Sequence, residues 1–151
     1  MAQSLAKICI HVIFSTKNRR RFLADAGIRT QLHSYLGSVL NRLGCRDILV
    51  GGTEDHVHIL CVLPRGRALA DVVREAKRLS SKWMKTTRRG ASAFAWQAGY
   101  GAFSVSHSNL PRARNYVKSQ EQHHKRTTFQ DELRAFLEKH DVAFDERYIW
   151  D

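Results

Sequence analysis

Residues 6 to 14 (Ala-Lys-Ile-Cys-Ile-His-Val-Ile-Phe) are β-branched and apolar, and the run stops at the polar stretch Ser15 to Arg21. That pattern predicts a central strand ending in a basic loop. From Ile28 the apolar positions Leu32, Tyr35, Leu36, Val39, Leu40 and Leu43 recur at intervals of three and four before Gly44, which predicts an amphipathic helix with a glycine stop. Residues 46–50 and 56–63 read as two more strands. The short connection Gly51-Gly52-Thr53-Glu54-Asp55 makes them antiparallel neighbours. After Pro64-Arg65-Gly66, the stripe Leu69, Val72, Val73, Ala76, Leu79, Trp83 and Met84 marks a second helix whose other side is basic. Residues 87–99 are irregular and interrupted by glycine, and Tyr100 to Ser106 forms a fourth strand. A third helix is expected to be capped by Ser106 or Ser108, to tolerate Pro111 in its first turn and to run through Tyr116 and Gln120 to about Lys125. A fourth starts near Thr128, carries Leu133, Phe136 and Leu137, and precedes the tail Phe144 to Asp151.

The order strand, helix, strand, strand, helix, strand is that of a split β-α-β, ferredoxin-like (RRM-like) α+β domain, an antiparallel sheet with helices packed on it. With 151 residues, 43% of them hydrophobic, the chain is long enough for one domain spanning 1–151 with a real core. No repeat or low-complexity linker marks a second domain.

Charge narrows the partners. Lys and Arg number 25 against 14 acids, a formal net charge of +11, which attracts polyanions in a salt-sensitive way and makes nucleic acid the first partner to consider. A ribosomal or membrane-surface protein has the same balance, so other residues must decide. The N-terminus carries neither a signal peptide nor a membrane span, and a cytoplasmic location is expected. Cys9, Cys45 and Cys61 are odd in number, widely spaced and set in apolar stretches, which suits reduced core thiols.

His56-Val57-His58 puts two imidazoles on one face of a strand while Val57 points into the opposite layer. The pair either converges on a metal or forms two hydrogen-bonded histidines at a strand edge. Asp55 either orients an imidazole or is a turn residue. Tyr116 and Gln120 lie one helical turn apart, so a phenol and an amide can share a site, although a helix tyrosine beside lysines is more commonly a packing residue.

Four segments together resemble the single-tyrosine HUH transposases of small bacterial insertion sequences, which include the repeat-associated tyrosine transposases. They are His56-Val-His58, Tyr116-Val-Lys-Ser-Gln120 followed by His123-His124, the stretch Phe94 to Ser106, and the tail Asp145-Glu-Arg-Tyr-Ile-Trp-Asp151. The opening Phe14-Ser-Thr-Lys-Asn-Arg-Arg-Arg-Phe22 matches as well, and the likeness spans nearly the whole chain.

This resemblance implies that His56, His58 and Gln120 hold a divalent metal, Mg2+ or Mn2+, and that Tyr116, on a C-terminal helix, is the nucleophile. The product would be a 5′-phosphotyrosine and a free 3′-hydroxyl on single-stranded DNA with hairpin ends. A homodimer is also implied, in which the tyrosine helix of one subunit can complete the histidine pair of the other. The chemistry is coherent: a metal with open positions polarises a phosphodiester, and a phosphotyrosine retains the energy needed to rejoin strands. No Walker-type loop is present, and no nucleotide cofactor is expected. Two imidazoles would also tolerate zinc, nickel or copper, so the ion rests on the resemblance.

Lys17, Arg19, Arg20 and Arg21, and on the second helix Lys77, Arg78, Lys82 and Lys85, either track DNA phosphates or form an ordinary solvated surface. Trp96 and Tyr100 either stack on bases or belong to the core, and His123 and His124 either assist the site or do not. Gly99 and Gly101 flank a possible hinge at Tyr100. Two other readings compete with the transposase: a non-catalytic nucleic-acid-binding module on the same scaffold, and a metal-dependent nuclease without a covalent intermediate.

Overall fold

The computed structural model describes residues 2–87 and 91–151; of the irregular stretch read at 87–99, residues 88–90 lie outside the described residues. Four strands, β1 (Ile8–Ser15), β2 (Arg46–Gly52), β3 (His56–Leu63) and β4 (Gly101–Ser104), pair antiparallel in the order β2-β3-β1-β4. This is the ferredoxin-like α+β arrangement expected from the element order.

Helices α1 (Ala26–Arg42) and α2 (Leu69–Thr86) cover one face. Strand alternation sends Ile10, Val12 and Phe14 of β1 and Val57, Ile59 and Cys61 of β3 into that layer, against Leu32, Leu36 and Leu40 of α1 and Val72, Val73 and Ala76 of α2. Helix α1 begins two residues before the apolar stripe because the Asp25 carboxylate caps it, accepting from the backbone N–H of Gly27 and Ile28. Its stop is Gly44, at φ +95, a conformation that L side chains resist. Cys9, Cys45 and Cys61 are free and buried.

The opposite face receives the other half of the alternation, His11, Ile13, His56 and His58, and is covered by the C-terminal third of the chain. Here the structure corrects one expectation. The single third helix is two, α3 (Leu110–Lys118) and α4 (Gln120–His123), broken at Ser119 (φ −100, ψ 21). Side chains compete for the carbonyls at the break: Ser119 Oγ donates to Asn115 O at 2.7 Å and Gln120 Nε2 to Tyr116 O at 3.1 Å. Neither Ser106 nor Ser108 caps α3; their hydroxyls bond each other at 3.2 Å, and a 3-10 turn at His107–Asn109 leads into the helix. Helix α5 (Phe129–Lys139) does start at its expected cap, with Thr128 Oγ accepting from Asp131 N–H. Leu133, Leu137 and Phe129 of α5 close over Ile13 and Phe103.

Gly51 of β2 sets how close α3 can come. It pairs with His58, and a Cβ built on it would lie 2.3 Å from the Val117 carbonyl oxygen, so only glycine lets α3 settle beside the histidines. Gly101 likewise gives Leu133 of α5 room, since a Cβ there would lie 2.9 Å from the leucine Cδ1. Its evident contribution is close packing rather than a hinge. Among the described residues no helix is long and apolar enough to cross a membrane.

Candidate active site

On the α3–α5 face, three chain segments bring polar side chains into a buried cluster. His56 and His58 come from β3, Tyr116 and Gln120 from α3 and α4, and Glu132 from α5; all but Tyr116 are almost wholly buried. His124, just after α4, joins them half-buried.

Each imidazole is oriented through its second nitrogen. His56 Nδ1 donates to Asp55 Oδ1 at 2.7 Å, with Thr53 Oγ 3.0 Å away, which turns Nε2 toward the cluster. Asp55 is therefore an orienting group as well as a turn residue. Burial would raise its pKa, but the hydrogen bond and charge of His56 outweigh this and hold it below the usual carboxylate range. His58 lies between His11 Nε2, 2.8 Å from its Nδ1, and Glu132 Oε1, 2.8 Å from its Nε2. Burial pushes His58 down to about 4 and His11 to about 3, so both rings are neutral at physiological pH, the form that ligates metals.

Glu132 is the hub. Oε1 faces His58 and lies 3.5 Å from His56 Nε2. Oε2 accepts from His124 Nε2 at 3.0 Å and, in a very short contact, from the Tyr116 hydroxyl. Burial opposes its ionisation, but the hydrogen bonds from His124, His58 and Tyr116 together hold the carboxylate ionised and its pKa strongly lowered. His124 is raised in return: its burial acts downward, and the bond and charge of Glu132 overcome it. Tyr116, whose hydroxyl also lies 3.1 Å from His123 Nε2, is held as a neutral phenol, first by burial and then by the Glu132 charge.

The donor set fits a cation. Glu132 Oε1 and Gln120 Oε1 converge on His56 Nε2 at 3.5 and 3.4 Å, with the Gln120 amide nitrogen turned away to Tyr116 O; with the His56 proton on Nδ1, all three atoms present lone pairs to a cation placed among them. His56, His58, His124 and Glu132 offer ligand atoms that all lie within 4.8 Å of one another and could hold a metal ion. The sequence pattern did not single out Glu132, which falls in none of the short motifs, and left the role of His124 open although His123-His124 follows the tyrosine motif. Beside Asp131 in the first turn of a helix, Glu132 reads as one more N-terminal dipole complement; only the packing of α5 turns it inward.

The basic residues separate. Lys77, expected among the phosphate-tracking cations, turns inward instead: its ammonium donates to the carbonyls of Gln97 (2.9 Å), Ala98 (3.2 Å) and Gly99 (2.5 Å), and burial lowers it to about 8. Arg21 pairs with Glu54 and Arg78 with Glu75. Lys17, Arg20, Lys82 and Lys85 are exposed. Arg19 lines a cleft of about 520 Å³ together with Arg29, Lys125 and Arg126, and His124 and Asp55 of the cluster reach its wall. Trp96 is core, its indole N–H on Ser80 Oγ at 2.9 Å and its ring against Phe14 and Phe94.

The ferredoxin-like sheet thus carries a buried histidine–carboxylate cluster that could hold a metal ion, with the Tyr116 phenol against it. Residues 4–120 match the model of the family described as "Transposase IS200 like", and the chain belongs to that family. Two solved structures share the fold. One is a candidate transposase from Deinococcus radiodurans R1 (21% identity, TM-score 0.59, covering 80% of this chain and 95% of that one). The other is a REP-associated tyrosine transposase bound to a REP hairpin (16% identity, TM-score 0.57, covering 96% of this chain and 91% of that one). No curated protein matches the chain. His124 and Glu132 lie beyond the matched segment.

Proposed function

We propose that the protein cleaves and rejoins single-stranded DNA by transesterification at Tyr116. The observation that carries this reading is the Tyr116 hydroxyl resting on the carboxylate that also contacts both histidines of the pair. His56, His58 and Gln120 hold a divalent ion, Mg2+ or Mn2+, with Glu132 and His124 close enough to join the ligand set. When bound, that ion polarises the scissile phosphodiester and offsets the charge that develops in displacement.

The chain's own residues do the rest. Asp55 and Thr53 keep His56 Nε2 aimed inward, and His11 fixes His58 from behind. Gln120 ties its amide to the carbonyl of Tyr116, which couples the ligand to the nucleophile's backbone. The Tyr116 hydroxyl passes its proton to Glu132 Oε2, which it already touches, as its oxygen attacks phosphorus; the P–O3′ bond breaks, leaving a 5′-phosphotyrosine, the departing 3′-oxygen takes a proton from solvent, and attack by a 3′-hydroxyl reverses the step. The Tyr116 hydroxyl lies against Glu132 of its own chain and its ring 5.7 Å from that of His58, which supports a site formed within one subunit.

The net charge of +11 and the cleft carrying Arg19, Lys125 and Arg126 provide for the phosphates. A hairpin is the proposed substrate because the fold relative that carries one shares nearly the full length of this chain. The test uses labelled hairpin DNA from the flanks of the gene with Mg2+ or Mn2+, resolved by denaturing electrophoresis. A protein-linked band with wild type that is absent with Tyr116→Phe is expected. One observation favours a second reading: His56, His58, His124 and Glu132 form a centre that can activate water. If Tyr116→Phe still cuts, that metal-dependent nuclease takes over. If competent hairpins are bound and never cut, the protein is a binding module.

A further inference from the structure

Beside Tyr116, between α3 and α5, lies a cleft of about 410 Å³ that the transesterification chemistry leaves unused. Its volume falls in the range of small-molecule sites. Aromatic rings make up much of its lining: Phe103 and Phe136 stack at 5.3 Å with 24° between planes, and His140 lies 4.6 Å from Phe103. The Tyr116 ring, 5.6 Å from Phe136, forms the wall on the side of the histidine–carboxylate centre. Arg112 and Lys139 also line it and make no ion pair among the described residues. A cleft walled by aromatic rings beside Tyr116, with Arg112 and Lys139 at its lining and Asp131 and Glu132 as its acids, has the chemistry of a nucleotide site: rings for the base, cations for the phosphate.

We infer that this cleft takes one unstacked nucleobase of the single strand, from a nucleotide adjoining the phosphodiester presented to Tyr116. The inference rests on the DNA-cleaving reading above and adds to it a base-binding subsite to which α5 contributes Phe136 and Lys139, from outside the segment that matches the family. A strand whose phosphate reaches the Tyr116 hydroxyl must put its neighbouring bases somewhere, and the aromatic cleft opens at that hydroxyl. Seating a base there would anchor the strand on both sides of the reacting phosphorus, because the cleft with Arg19, Lys125 and Arg126 meets the cluster at His124 and Asp55.

The experiment uses full-length Tyr116→Phe protein, which cannot turn over, and hairpin DNA already shown to be cut by wild type. The fluorescent base 2-aminopurine is placed in turn at each position flanking the cut. One position should be quenched on binding and largely recover in Tyr116→Phe/Phe136→Leu, a change that keeps apolar volume and removes the ring. An abasic nucleotide at that position should weaken binding roughly tenfold, as expected for one stacked base, and weaken the Phe136→Leu protein no further. Lys139→Ala, at an exposed position, should reduce the salt dependence of binding by about one phosphate contact. Quenching at no position, or an equal abasic penalty in both proteins, overturns the subsite while leaving the cleavage reading standing. If Phe136→Leu instead dissolves a dimer in size-exclusion chromatography, the cleft is covered by a second copy of the chain and the inference fails. If wild type cuts no hairpin, the cleavage reading fails and takes the subsite with it.

Discussion

The two faces of the sheet are made from alternate residues of the same strands, yet they bury opposite chemistry. The α1/α2 face is a continuous apolar layer in which Phe14, Val57, Leu32 and Leu36 are fully buried. The α3–α5 face buries His11, His56, His58, Gln120 and Glu132 beside a much smaller apolar group. Burial of apolar area stabilises a fold, whereas buried polar groups roughly break even at best and are costly when one partner is lost. The first face therefore supplies stability, and the second uses it to hold neutral imidazoles and an ionised carboxylate where water would otherwise solvate them.

The largest effect that would sharpen this division is Leu32→Ala in the α1 layer. It should destabilise the fold by about 2–5 kcal/mol in chemical denaturation and leave the metal affinity of the protein that remains folded unchanged. A matching loss of metal affinity would break the division. Glu132→Gln tests the other face: calorimetric titration with Mn2+ should show affinity lower by about 10- to 100-fold.

Gly51→Ala probes the seam between strand and helix. The added Cβ meets the Val117 carbonyl oxygen at 2.3 Å, so α3 must shift away from His58 and carry Tyr116 with it. Formation of the protein–DNA adduct should fall on the order of a hundredfold, because a 1 Å misplacement can cost that much, with Mn2+ binding less affected.

The smallest effect is a pH dependence to which the polar face contributes through His11 and His58. Burial holds His11 and His58 down at about 3 and about 4 in the folded protein, against the 6.5 of a free imidazole. Above pH 6.5 both states leave them neutral and stability is level. As pH falls below 6.5 the unfolded chain takes up protons first, so stability drops down to about pH 3–4, by up to about 1.4 kcal/mol per pH unit per histidine. Denaturation in chelator across this window should show the slope, and His11→Phe should reduce it.

Much of the molecule was legible in the chain. The strand at residues 6–14, the pair at 46–50 and 56–63 and the helical stripes from Ile28 and Leu69 come from periodicities of two and of three to four, which report which side of an element is buried. The same alternation put His56 and His58 on one face, and the turn spacing put Tyr116 and Gln120 together. Less legible was the break at Ser119, since side-chain hydroxyls and amides that compete for helical carbonyls leave no periodic mark. Lys77 read as one more surface cation, and only the fold of residues 97–99 over it turns its ammonium to their carbonyls.

By itself the sequence determined the element order, the apolar layer and the short motifs, because local periodicity and the composition of neighbouring residues encode them. Only the tertiary structure decided that Glu132, 74 residues from His58, lies 2.8 Å from it and in contact with Tyr116. A contact between distant segments depends on how whole helices pack on the sheet, which is set by shape and close approach at positions such as Gly51 and Gly101 rather than by any pattern local to the residues that meet.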